Sequence, residues 1–163
     1  MRLLTAARRV VVQAERVLTA GSQASSALPR TEEDAVDPHL LSAATNLLTW
    51  DCHCFLIAAA RFHRCFELDD RRKPANVPAS LSDASTLRDV WEHSDEYPII
   101  GPRQTPKKQA TRALLKRFEV DGHHNTGLAF TVSIAEGGRE VTIGQTVSVN
   151  ELARYASRLL EEP

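Results

Sequence analysis

Between Pro38 and Pro74 the chain carries neither glycine nor proline, and Leu41, Ala44, Leu48, Phe55, Ala59, Phe62 and Phe66 recur along it at helical spacing. No strand runs that long, so this stretch predicts one helix from about residue 38 to about residue 69 and makes it the spine of the fold. Asp37 and Pro38 supply its start, because aspartate accepts hydrogen bonds from free amides and proline suits the first helical position. With 163 residues, 42% of them hydrophobic, the chain can bury one core against that spine.

The flanking segments read mostly as further helices. Leu3, Leu4, Ala7, Val10, Val11, Ala14, Val17 and Leu18 recur every three or four residues. They predict a first helix of about five turns that ends at Gly21, followed by a loop through Asp37. Arg8, Arg9, Glu15 and Arg16 interrupt its apolar run, which argues against a signal peptide or membrane span. After "DDRRKPANVPAS", Ser82 or Asp83 can cap a third helix that stops before Pro98. "KKQATRALLKRFEV" reads as a basic amphipathic helix, and "DGHHNTG" as a loop. Leu128, Phe130, Val132 and Ile134 then alternate with smaller or polar residues, and Val141 and Ile143 alternate beyond "EGG", which predicts a β-hairpin. Ser148 with Glu151 forms a capping box for a last helix through Leu152, Tyr155, Ala156, Leu159 and Leu160. The expectation is therefore mainly α: a bundle of about four helices, with a C-terminal β-hairpin and final helix. Residues 1–120 would form the bundle, and 121–163 an appendage packed on it.

The third helix holds the most suggestive chemistry, in "LRDVWEHSDEYP". On a helical wheel Leu87, Val90, Trp91, Ser94 and Tyr97 fall on one side, with Trp91 as anchor. Arg88 and His93 flank the opposite arc, with Asp89, Glu92 and Glu96 between them. A guanidinium grips phosphate oxygens, and an imidazole that titrates near neutral pH moves protons at a ribose oxygen. Five residues on one helix set Arg88 and His93 about 140° apart with a rise of about 7.5 Å, so convergence on one phosphate needs a second copy across a two-fold axis.

The R-x4-H pattern in "RDVWEH", with a polar residue after the arginine and a long bundle helix before it, resembles the HEPN superfamily, named for higher eukaryotes and prokaryotes nucleotide-binding. The resemblance implies an all-α dimeric bundle. In active members it implies a metal-independent endoribonuclease of the toxin or phage-defence kind. It nominates Arg88 to hold phosphate, His93 to transfer protons and Asp89 to orient side chains. It also implies RNA, a second copy of the chain and an antitoxin or defence-system protein as partners. Where some HEPN toxins carry a tyrosine two residues beyond the histidine, this chain has Asp95. The same stretch also reads as a solvated face in which Arg88 pairs with Glu92 and Asp89 with His93. The chain is then a non-catalytic helical dimer that binds a protein partner.

Charge and thiols narrow the rest. A net charge of -1 excludes a bulk basic excess, so any RNA contact must be local. Lys108, Arg112 and Lys116 line one stripe and are the candidates. Cys52, Cys54 and Cys65 are an odd number of thiols within the spine, which fits reduced cysteines in the cytoplasm. Together with His53 and His63 they are zinc-ligand types, but their spacing on a helix spreads them over several faces, so neither a metal nor a cofactor is expected.

Overall fold

The computed structural model describes residues 2–29, 35–68, 77–92, 113, 119–120, 123–124 and 131–161. Within them the fold is mainly α, with four helices, the last of them following a three-stranded antiparallel sheet. The spine is helix α2, Pro38–Leu68. Asp37 caps it through Oδ1, which accepts from the amides of His39 at 2.9 Å and Leu40 at 3.3 Å. Its C-terminal half buries Cys52, Phe55, Leu56, Ala59, Phe62 and Phe66.

Helix α1, Arg2–Ser26, packs along α2 and also meets the C-terminal helix, and it buries Ala7, Val10, Ala14, Val17 and Ala20. Small residues on this face let the two helix axes approach closely. Gly21 does not end α1. It is buried, and a Cβ there would lie 3.1 Å from Val141 Cγ2. Glycine at this position serves close contact with the hairpin, and the helix continues five residues further.

Helix α3, Ala79–Glu92, starts before the expected caps. Leu81 N–H donates to the Pro78 carbonyl at 3.0 Å, so Ser82 and Asp83 lie inside the helix. Its Leu81, Ala84, Leu87 and Val90 are buried.

Two residues of the expected basic helix and two of the expected loop form a short antiparallel ladder: β1, Glu119–Val120, pairs with β2, His123–His124. The Asp-Gly between them is a favoured tight-turn dipeptide, a signal that outweighs the helical pattern before it. Apart from Ala113, which is helical, the rest of the expected basic helix lies outside the described residues.

The expected hairpin is present as β3, Val132–Ala135, and β4, Glu140–Ile143, with Val132 opposite Ile143 and Ile134 opposite Val141. A third strand, β5, Val147–Ser148, extends the sheet in the order β3-β4-β5. Helix α4, Val149–Glu161, follows at once. Ser148 Oγ accepts from Glu151 N–H at 3.2 Å, while the Glu151 carboxylate accepts from Ser80 Oγ and so joins the first turns of α4 and α3. Asn150 ties α4 to β4, donating to Arg139 O at 2.7 Å and accepting from Val141 N–H at 3.3 Å. Tyr155 stacks near Phe62 and Phe66, with ring centroids 6.1 and 6.2 Å away. Residues of β4, β5 and α4 share one core cluster with the three earlier helices.

Candidate functional site on helix α3

Burial of Leu87 and Val90 fixes the rotation of α3 and turns Arg88, Asp89 and Glu92 to its other side. Arg88 is held by carboxylates of its own helix. Nη2 donates to Asp89 Oδ1, and Nε lies 3.5 Å from Glu92 Oε2. The second contact is an ion pair rather than a hydrogen bond, because Arg88 Nε is buried without a hydrogen-bond acceptor. The Arg88–Glu92 pair is the solvated-face arrangement. Asp89 meets Arg88, its neighbour in the chain. His93 lies outside the described residues, as do Lys108, Arg112 and Lys116. The structure thus brings together Arg88 and Asp89 from the expected set.

Trp91 is half-buried and packs against His53 of α2, with ring centroids 5.7 Å apart. His53 in turn meets the edge of Trp50 at 6.3 Å. This aromatic run links the end of α3 to the surface of α2. In the sequence His53 stands out only as a metal-ligand type; its place between two indoles depends on which part of α3 crosses α2. His53 Nε2 is buried and accepts or donates no hydrogen bond among the described residues.

Beside it, Asp51 is a buried carboxylate whose Oδ1 forms a 2.8 Å ion pair with Arg16 of α1, at an angle short of a hydrogen bond. Burial, aided by the Asp51 charge, pushes the Cys52 thiol up to about 12, so it stays protonated and chemically quiet. Among the described residues, no three His, Cys, Asp or Glu side chains are grouped to hold a metal ion. By length and composition Pro38–Glu67 could cross a membrane, with a mean hydropathy of 1.2 over its best window. Its Asp51 is spent on packing against α1.

The N-terminal half of α2 also carries apolar residues on a face turned away from the core. Leu40, Leu47 and Trp50 are 64%, 43% and 62% exposed, and Ala43 is exposed between them. Their spacing of three and four residues is that of the a and d positions in a coiled-coil seam. Next to Leu47 a groove of about 370 Å³ runs between α2 and α1, lined by Val12, Thr19, Ala20 and Asp51 among others. Compared with protein-family models, with curated proteins and with solved structures, the chain matches none.

Proposed function

We propose that the protein works as a homodimeric helical interaction protein of HEPN-like layout, two copies pairing along the exposed edge of α2. The observation that carries this reading is the seam of Leu40, Ala43, Leu47 and Trp50 beside an apolar groove. A protruding indole and a receiving groove on one surface suit an isologous two-fold contact, in which each copy gives and receives the same side chain. Arg88, already balanced by Asp89 and Glu92, is then a structural residue of the bundle. Strand β3, at the edge of its sheet among the described residues, offers unpaired backbone to a protein partner such as an antitoxin or defence component. Three free thiols suit a cytoplasmic setting.

A second reading has its own support. The aromatic run Trp50–His53–Trp91 connects the seam to the end of α3, so pairing through Trp50 would draw two Arg88 flanks towards one interface. There Arg88 and His93 of two copies would form a composite site for metal-independent RNA cleavage, with Asp89 orienting the guanidinium.

Sedimentation of the wild type against Trp50→Glu and Leu40→Glu tests the dimer. A dimer that becomes monomeric in both variants supports it, and a monomeric wild type overturns it. Labelled RNA incubated with the dimer in EDTA separates the two readings. Intact RNA retains the interaction protein. Cleavage to 2′,3′-cyclic phosphate ends, lost in both His93→Ala and Arg88→Ala, replaces it with the nuclease.

A further inference from the structure

At the far end of the bundle, where the start of α1 meets the end of α2, a cleft of about 290 Å³ opens between the helices. Its floor is apolar and its rim cationic. Ala6 and Ala58 are buried and Cys65 is half-buried, while Arg2, Arg9 and Arg61 are exposed around them.

The sequence places these groups by helical repetition. Arg2, Ala6 and Arg9 follow one face of α1, and Ala58, Arg61 and Cys65 follow one face of α2. The cleft exists because alanine stands at both central positions, where a larger side chain would close it. Among the described residues none that lines it is acidic, and none of the three arginines forms an ion pair. Arg16 and Arg88, by contrast, each have a carboxylate within reach. Three guanidiniums without a counter-charge among the described residues repel one another, and an anion between them relieves that repulsion while its apolar part covers the alanines. The first turn of the 25-residue helix α1 adds positive potential of the same sign.

We propose that this cleft binds a compact organic phosphate monoester, a dianionic head group held by Arg2, Arg9 and Arg61 and a short aryl or alkyl body seated on Ala6, Ala58 and Cys65. At about 30 Å³ per water-sized group, the cavity holds about ten non-hydrogen atoms. Three arginines match a dianion better than a monocarboxylate. This site shares no residue with α3 or with the α2 seam, so it stands whichever of the two functional readings holds.

Cys65 gives a direct readout, because a seated ligand shields its thiol, while half-buried Cys54 lies outside the lining and serves as an internal control. The full-length protein is treated with iodoacetamide, and alkylation of each cysteine is followed by peptide mass spectrometry with phenyl phosphate, benzoate, inorganic phosphate or a short single-stranded RNA present. Phenyl phosphate should slow alkylation at Cys65 and leave Cys54 unchanged. Inorganic phosphate and benzoate should need about tenfold higher concentrations for the same protection, since one lacks the apolar body and the other a charge. Arg61→Gln should weaken phenyl phosphate protection about tenfold, and Arg139→Gln, on the hairpin, should not change it. Equal protection by inorganic phosphate or benzoate overturns the ligand class. RNA protecting at lower concentration than phenyl phosphate would make the cleft a backbone-binding surface instead. Absence of Cys65 protection, or protection undiminished in Arg61→Gln, overturns the site.

Discussion

Asp51 and Cys52 are consecutive residues on the buried side of α2, and each makes a prediction of opposite character. The Asp51 carboxylate is almost fully enclosed, whereas Arg16 is half in water, with side-chain exposures of 5% and 52%. Removing Arg16 leaves a buried charge without its counter-ion, so Arg16→Ala should destabilise by about 1–3 kcal/mol in urea unfolding. The double variant Arg16→Ala/Asp51→Leu should recover part of that loss, because no charge is then stranded. If the double variant is weaker than Arg16→Ala alone, Asp51 contributes through something other than this pair. Cys52 ionises at about 12 in the folded chain against an ordinary 9.0. Above pH 9.0 the unfolded thiol releases its proton while the folded one keeps it, so this group's contribution is whole below 9.0 and is lost as pH rises towards 12. Wild type should therefore lose stability between pH 9 and 10.5 more steeply than Cys52→Ala, and equal slopes in the two proteins would remove burial of the thiol as the cause. At this scale the sequence was only partly legible. The types at positions 51 to 54 are visible as possible ligands, but their helical phase sends Cys52 into the core and His53 between two indoles, and the crossing of α2 by α1 and α3 decides that phase.

Among the elements, helix α2 was the most legible, because Asp37 and Pro38 mark its start and an apolar period without glycine or proline carries it to Leu68. The capping box at Ser148 and Glu151 likewise set the start of α4, although the Glu151 side chain turned to Ser80 of another helix. Strand β5 was hidden, since two residues, Val147–Ser148, are too few to show alternation. Gly21 misled for a different reason. A glycine that ends a helix and one that admits a neighbouring backbone look alike in sequence, and the neighbour here comes from the hairpin turn. Gly138 of that turn has φ of +96°, and a Cβ on it would fall 2.3 Å from Ser22 Cα. These contacts predict unequal effects. In Gly21→Ala, roughly 1 kcal/mol of gained helix propensity is opposed by the 3.1 Å approach to Val141, so its net change should be small. Gly138→Ala meets both an unfavourable backbone angle and helix backbone, and should cost at least about 2 kcal/mol. Comparable thermal midpoints for the two variants would show that the turn can move off α1.

For the molecule as a whole, the mainly helical bundle followed from periodicity, whereas the face left over by that bundle did not. Periodicity marks the apolar side of a helix; it cannot divide that side between an internal core and an external partner. In α2 the division falls around the helix rather than along it: Leu48, Phe55, Phe62 and Phe66 are buried on one face, while Leu40, Leu47 and Trp50, on an adjoining face, stay in solvent. Covering these three side chains in a second copy gives association a hydrophobic driving force, offset by the lost freedom of two separate chains. The proposed pairing of folded chains would couple stability to concentration by mass action, because such a dimer would form only from the native state. The thermal midpoint of wild type should therefore rise across a hundredfold increase in protein concentration. Trp50→Glu should flatten that dependence and leave the far-ultraviolet helical signal unchanged, since its side chain is outside the monomer core. A midpoint independent of concentration in wild type would mean that the seam stays open in solution, and with it the two-fold arrangement that both functional readings require.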